Sequence, residues 1–226
     1  MRSAFFRFPH VPHLTWLARG TPRDDKVLTK EDVESLLADE VIVEEKIDGA
    51  NLGFSITHGS LLRAQNRGQY LVSPYPEQFF KLPKWLEVHS DAIAGALKPN
   101  LIIFGEWCEA KHTVSYNKLP DWFVAFDIYD RSSEKFWNTE RRDAIAAEIG
   151  LAVVPTIFRG KLSVKELTAL VNEEQSRFGS SPIEGVVVRK ESGGWCELRA
   201  KLVRQDFVQG IDQHWRTRRL ERNSLR

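Results

Sequence analysis

Short apolar runs of strand length, each cut off by turn residues, constrain the fold of this chain more than any other feature. They fall at residues 41–43, 52–56, 61–64, 101–104, 122–129, 153–158, 182–189 and 195–203. None approaches the length needed to span a membrane. Between them lie a few helical stretches with recognisable starts. Thr29 is placed to cap a helix over residues 30–38, with Glu31 and Asp32 at its positive end. Residues 76–98 read as two short helices. Thr139 is placed to cap a helix ending at Gly150, and Ser163-x-x-Glu166 is a capping box opening a helix to about residue 174. Gly193 and Gly194 turn residues 182–189 back on residues 195–203 as a hairpin.

One of these junctions carries chemistry. Glu44-Glu45-Lys46-Ile47-Asp48-Gly49-Ala50-Asn51 sits between two apolar runs and reads as strand, tight turn, strand. A lysine at the mouth of such a turn can attack phosphorus once its proton is lost, and a glycine beside it lets backbone approach phosphates closely. Lys-x-Asp-Gly alone recurs by chance in roughly 5% of chains of this length. The remainder of the chain must therefore supply a nucleotide pocket, a metal carboxylate and further cations.

Composition removes several alternatives. The formal charge of +1 gives no global nucleic-acid footprint, so any basic surface is local. Two cysteines, Cys108 and Cys196, are too few for a disulfide framework or a zinc site, and a reduced cytoplasmic setting is expected. The N-terminal stretch has no apolar core of a signal peptide. Phe5, Phe6, Phe8 and Trp16 are expected to anchor residues 1–28 to the body, with His13 structural.

Several further residues are candidates for the site. Glu106 ends an apolar strand, where an unpaired charge is costly to bury unless a polar ligand such as a ribose hydroxyl meets it. In the aromatic run at residues 122–129, one ring facing a pocket can stack on a base. Arg63 or Arg67 can reach a phosphate from the loop at residues 65–69. Alternation puts Glu184, Val186 and Val188 on one strand face, with Arg199 and Lys201 sharing parity on the partner strand, so a carboxylate and two cations are expected to share a cleft. The C-terminal residues from about 205 read as a basic helix, with Arg216, Arg218, Arg219, Arg222 and Arg226, able to touch a polynucleotide backbone or to fray in solvent.

Five of these features stand in one order: Lys46 to Asn51 (Lys-x-Asp-Gly-x-Asn), Phe104-Gly105-Glu106, Phe126-Asp127-Ile128, Glu184 to Arg189 (Glu-Gly-Val-Val-Val-Arg), and Arg199-Ala200-Lys201-Leu202-Val203. Together they resemble the covalent nucleotidyltransferases, and most nearly the bacteriophage-type RNA ligase 2 group and its bacterial relatives, over about residues 41–208. The resemblance implies an α+β nucleotidyltransferase fold, the ATP-grasp-like adenylation fold of ligases, with antiparallel sheets flanked by helices. It implies an ATP-dependent RNA ligase that joins 5′-phosphate and 3′-hydroxyl ends, with Mg2+ or Mn2+.

By the same resemblance, Lys46 takes up AMP, with Asp48 orienting it or a metal-bound water. Glu45, Asn51 and Arg67 belong to the nucleotide site. Glu106 holds the ribose, Phe126 stacks on adenine, Glu184 binds the metal, and Lys201 contacts the α-phosphate. Arg199 stands where the family often has a lysine; it keeps the charge but does not give up its proton. Burial, Lys201, Arg199 and the metal are expected to lower the Lys46 pKa. The expected organisation is one domain over residues 1–226 without a C-terminal OB-fold. Grip on RNA ends, in a nicked duplex, a broken tRNA or single strands, is then expected from the domain surface, the N-terminal segment, the basic tail, an oligomer or a partner protein, with no membrane involved. The competing readings are a minimal DNA ligase core, a capping-type guanylyltransferase, and an inactive nucleotide- or RNA-binding module.

Overall fold

The structure, a computed structural model, describes residues 5–18, 20, 26–57, 59–210 and 220–226. Helix α1 (Lys30–Leu37) begins at Thr29, whose hydroxyl accepts from the Asp32 amide. Strands β1 (Val41–Lys46), β2 (Ala50–Ile56) and β3 (Leu62–Gln65) follow. In place of two short helices, one 3-10 turn at Glu77–Phe79 leads into the fifteen-residue helix α2 (Leu82–Ala96). Then come β4 (Leu101–Trp107), β5 (Phe123–Asp130), β6 (Lys135–Trp137), α3 (Thr139–Glu148), β7 (Ala152–Val153), β8 (Thr156–Gly160), α4 (Val164–Glu173), β9 (Gly185–Ser192), β10 (Trp195–Val203) and α5 (Gln205–Gly210). The Ser163–Glu166 capping box forms in full at the start of α4. At α3 the cap is Asn138, one residue earlier than expected, because Glu191 of β9 takes both the amide and the hydroxyl of Thr139. Among the described residues no helix is long and apolar enough to cross a membrane.

The ten strands among the described residues join one sheet in the order β3-β2-β4-β5-β6-β10-β9-β1-β8, with β7 beside β5. The β5–β7 pair is parallel and the other pairs are antiparallel. The expectation of antiparallel strands flanked by helices holds, in one sheet rather than several. That sheet is two halves joined by the three residues of β6, a strand too short to be read from its sequence. One half (β3-β2-β4-β5) packs its outer face on α2 and α3 through Leu52, Phe54, Ile103, Trp85, Ile93 and Ala146. The other half (β10-β9-β1) packs its outer face on α1 and α4 through Val41, Val43, Val186, Val188, Leu36 and Leu167. The inner faces are left to bound a cleft.

The Lys46 turn is not a hairpin. β1 pairs with β8 and β9, and β2 pairs with β3 and β4. Residues 47–49 therefore carry the chain from one half-sheet to the other. Turn residues specify tolerated backbone angles and not which strand becomes the neighbour, so the local pattern could not separate these outcomes. A second crossing breaks the strand expected at residues 153–158: β7 belongs to the β5 half and β8 to the β1 half, with Val154 and Pro155 between them.

The C-terminal residues also differ from expectation. Helix α5 is described over Gln205–Gly210, Arg216, Arg218 and Arg219 lie outside the described residues, and residues 220–226 run extended against the loop after β4. Arg222 is paired with Glu109. Asn223 is buried, accepting from the Tyr116 amide and donating to the Cys108 carbonyl at 2.8 Å. This segment is docked rather than frayed.

Charges are buried where the two halves face each other. Arg142 on α3 and Arg189 on β9 are 0% and 1% exposed. Arg142 donates to Glu44 Oε1 at 2.7 Å and to the Phe126 carbonyl at 2.8 Å. Arg189 donates to Asp127 Oδ1 at 2.8 Å and to Glu191 at 2.9 Å, and lies 3.7 Å from Glu44 Oε2. Arg199 donates to the other oxygen of Asp127. Burial pushes the Glu44 pKa up, and Arg142 and Arg189 oppose it. Removing one partner leaves a buried charge uncompensated, so Arg142→Ala is expected to cost about 3–5 kcal/mol. Urea denaturation checks this, and the double variant Arg142→Met/Glu44→Leu is expected to recover most of the loss.

Candidate active site

Strand parity decides which side chains enter the cleft. On β1, Val41 and Val43 face the outer core, so Glu44 and Lys46 face inward, opposite Val187 and Gly185 of β9. On β10, Arg199 and Lys201 lie opposite Arg189 and Val187 and share this inner face. On β2 and β4, Asn51 and Glu106 are cross-strand partners on the inner face of the other half. β5 contributes through a bulge: Phe104 pairs with Asp127 and Gly105 with Ala125, leaving Phe126 as the extra residue. The bulge breaks alternation, so Phe126 and Asp127 both line the cavity. The Phe126 carbonyl is the one that Arg142 satisfies.

One chamber brings together Glu45, Lys46, Asn51, Arg67, Glu106, Phe126, Glu184, Arg199 and Lys201. A more open groove shares Lys46, Asn51, Arg67 and Glu106 with it and continues past Asn66, Gln69, Gln78 and His112. Arg67 lines both the chamber and the groove, whereas Arg63 stacks over Tyr70 at 4.4 Å, beside a different groove. Glu45 lines the chamber, but its Oε2 accepts from the Arg177 amide at 3.0 Å.

Glu184 reaches the chamber by a route the alternation argument misjudged. Val186 and Val188 belong to the outer core with Leu202 and Ala200, the face opposite Arg199 and Lys201. Glu184 precedes the first residue of β9 and so escapes the strand's parity. Its Oε2 accepts from Lys46 Nζ at 2.6 Å. Gly185 permits this entry, since a Cβ there would stand 2.2 Å from the Leu202 carbonyl oxygen.

Asp48 anchors the crossing. Its Oδ2 accepts from the amides of Thr113 and Val114 at 2.7 and 2.8 Å, and its own amide donates to the Tyr116 hydroxyl. The neighbouring Gly49 makes its close approach to protein: a Cβ there would lie 2.6 Å from the Trp107 carbonyl oxygen. The C-terminal segment braces the same loop through Asn223 and Tyr116. A carboxylate feeding two backbone amides is a structural tie, and no feature of the local sequence pointed to those partners.

The electrostatics oppose a simple account of the lysine. Burial works to lower the Lys46 pKa, but Glu184, Glu106 and Asp48 outweigh it and hold the amine above an ordinary lysine. Lys201 and Arg199 are not the deciding charges. Burial pushes Glu184 up to about 7, opposed by Lys46 and reinforced by Asp48. It pushes Glu106 up to about 8, opposed by Lys46 and reinforced by Glu184. The three groups titrate as a unit. Lys46 therefore stays charged near neutrality.

Among the buried polar atoms here that lack a protein hydrogen-bond partner are Glu45 Oε1, Asn51 Oδ1 and Arg67 Nε in the chamber and Gln78 Oε1 in the groove. Such atoms are costly unless a ligand meets them. No group of three or more His, Cys, Asp or Glu able to hold a metal occurs among the described residues. Glu184 and Glu106 are hard oxygen donors that suit an ion taking one or two carboxylates and filling its shell with water and phosphate oxygens, as Mg2+ does.

Reading the sequence missed Phe8, His10, Val11, Glu44 and His112, which also border the chamber or groove. Glu44 was detectable, because it shares parity with Lys46 inside an apolar strand. The others carry no periodic signal.

The family model for RNA ligase matches residues 39–203. No curated protein matches the sequence. Among solved structures, Naegleria gruberi RNA ligase with PPi is similar at a TM-score of 0.65 and 16% identity, over 95% of this chain and 65% of that one. A mutant of the same protein with ATP and Mn gives 0.65 at 14% identity, over 80% and 54%. Another mutant, with AMP and Mn, gives 0.62 at 15% identity, over 92% and 64%. At these identities the likeness is one of fold, and this chain spans between about half and two-thirds of that protein's length.

The Asp48 tie is open to test. Asp48→Ala is expected to lower stability by about 1.5–3 kcal/mol, the range for hydrogen bonds to a charged acceptor. Asp48→Asn, which keeps a carbonyl oxygen for the same amides, is expected to retain most of it, with both read by urea denaturation.

Proposed function

We propose, from the premise that the chain belongs to the RNA ligase family, that it is an ATP-dependent RNA ligase working through AMP held on Lys46. The observation that carries this reading is the surroundings of Lys46: its amine stands 2.6 Å from Glu184 in a chamber with an aromatic wall, two carboxylates of raised pKa and several cations. In the first step the Lys46 Nζ–phosphorus bond forms as the bond to the pyrophosphate oxygen breaks, and pyrophosphate leaves with the electron pair. The lysine proton must depart beforehand. AMP then passes to the 5′-phosphate of an RNA end, and a 3′-hydroxyl displaces it to close the strand.

The residues divide this work. Phe126 offers its ring to adenine, and Glu106 and Asn51 accept from the ribose hydroxyls. Arg67 and Lys201 meet phosphate oxygens. Arg199, committed to Asp127, contributes fixed charge at the wall. Glu45 shapes the chamber, and Asp48 fixes the crossing that aims Lys46. Glu184 would be the carboxylate donor to Mg2+ or Mn2+; a bound ion would supply charge neutralisation at the phosphates. An ion held at Glu184 would offset the nearest of the negative charges that keep the proton on Lys46, and so would favour the neutral amine. The open groove gives an RNA end a path to the same lysine. A cytoplasmic setting, consistent with the free thiols Cys108 and Cys196, and grip on the RNA by an oligomer or partner protein belong to the same proposal.

Intact-mass spectrometry with ATP and Mg2+ or Mn2+ is expected to show a gain of one AMP, absent in Lys46→Ala and absent with GTP. An adduct formed only with GTP would point to a capping-type enzyme, and no adduct at all to an inactive binding module. Sealing of all-DNA nicks alone would point to a DNA ligase. The pH dependence has a definite sign. A carboxyl of raised pKa is protonated below that value and competes with the ion, so the rate of adduct formation is expected to rise between about pH 7 and 8. A rate that falls over this interval contradicts the assignment.

A further inference from the structure

The nucleotide chamber has a wall that the matched family region, residues 39–203, does not supply. The N-terminal segment crosses the cleft from one half-sheet to the other. At its start, Phe6 stacks on Tyr129 of β5 with ring centroids 3.8 Å apart, and its carbonyl accepts from Gln65 of β3 at 2.8 Å. At its far end, the Lys201 amide donates to the Pro12 carbonyl at 2.8 Å, and the Leu14 amide donates to the Lys201 carbonyl at 2.7 Å. The segment is thus stitched to the backbone of a residue that itself lines the chamber. Between these ties, Phe8, His10 and Val11 border the same chamber.

Phe8 holds the central place. It is 3% exposed. Its ring meets the ring of Phe126 edge to face at 5.3 Å and lies 5.1 Å from the Arg199 guanidinium, which Phe136 covers at 3.8 Å on its own account. Phe126 sits on a bulge, where the strand ladder fixes orientation least. An edge-to-face neighbour is what sets the plane of such a ring.

We propose that residues 8–11 are an integral wall of the nucleotide site and that Phe8 is a positioning residue, fixing the Phe126 ring for stacking on the base and steadying Arg199 beside the phosphates. This rests on the ligase reading above for the identity of the nucleotide. The strap also makes the site depend on both half-sheets at once, since its two ends are tied to different halves. A residue of this kind acts on affinity for the nucleotide more than on the chemical step.

The test is equilibrium binding of labelled ATP with Mn2+, alongside the rate of AMP adduct formation at saturating ATP. Phe8→Ala is expected to weaken ATP binding by roughly three- to tenfold, the range for loss of one aromatic pair, while the saturated rate stays within about twofold. Phe8→Tyr, which keeps the ring, is expected to restore affinity. If Phe8→Ala does not fold, as circular dichroism will report, Val11→Trp takes its place. It puts bulk into the chamber from a partly exposed position and is expected to weaken binding while leaving the fold intact. Unchanged affinity in a folded Phe8→Ala or Val11→Trp overturns the proposal, as does a loss confined to the saturated rate. The two readings fail differently. An unmodified wild-type protein that still binds ATP defeats the ligase reading, whereas adduct formation with unaltered affinity in the variants defeats this one.

Discussion

The cleft exists because two half-sheets, joined by the three residues of β6, are held at a fixed spacing by charges buried between them. Asp127 accepts from Arg189 and Arg199, and Arg142 reaches both Glu44 and the carbonyl of the Phe126 bulge. Each partner comes from a different element: α3, β1, β5, β9 and β10. Hydrophobic packing on the outer faces would tolerate a range of spacings. A set of buried ions tolerates little, because any member left unpaired carries a large desolvation penalty. The same set fixes functional geometry. Glu44 is two residues from Lys46 on one strand face, and Asp127 adjoins Phe126.

Within that frame the chemistry of the site is a balance of charge. Glu184 and Glu106 are pushed toward neutrality by burial, and Lys46 is kept charged by those same groups. Each is shifted in part by charge within the set: Lys46 by both glutamates, Glu106 by Lys46 and Glu184, and Glu184 by Lys46. Under the proposed ligase reading, a site arranged this way holds Lys46 protonated until positive charge arrives at the carboxylates. Asp48 adds its negative charge to this balance, raising Lys46, Glu184 and Glu106 alike, while its carboxylate is tied to the amides of Thr113 and Val114. Its position is needed to aim Lys46 across the crossing between half-sheets.

Much of the architecture was legible in the sequence because strands and caps are local. The apolar runs located most of the strands, Gly193-Gly194 gave the β9–β10 hairpin, and Ser163 with Glu166 gave the start of α4. Strand order was not legible. The Lys46 turn satisfies the rules for a hairpin and yet crosses the cleft, because pairing is settled by distant strands. Glu184 reached the chamber although the parity assigned to it was wrong, since it lies before the strand whose alternation was invoked. Arg142 sits in Thr139-Glu140-Arg141-Arg142-Asp143, which reads as a solvated helix start, and only its tertiary partners reveal it as buried. Phe8 was recognised as an anchor, but nothing local tells an anchor from the wall of a chamber.

The most direct test of this account is the protonation of Lys46 itself. Carbon-13 labelling of the lysine side chains and an NMR pH titration, with Lys46 assigned through Lys46→Arg, report it at a single site. The account predicts that the Lys46 amine titrates above an ordinary lysine, and that Glu184→Gln brings its pKa down. A Lys46 that is already neutral near pH 7, or one that Glu184→Gln leaves unmoved, would contradict the claim that the two glutamates hold the nucleophile in check.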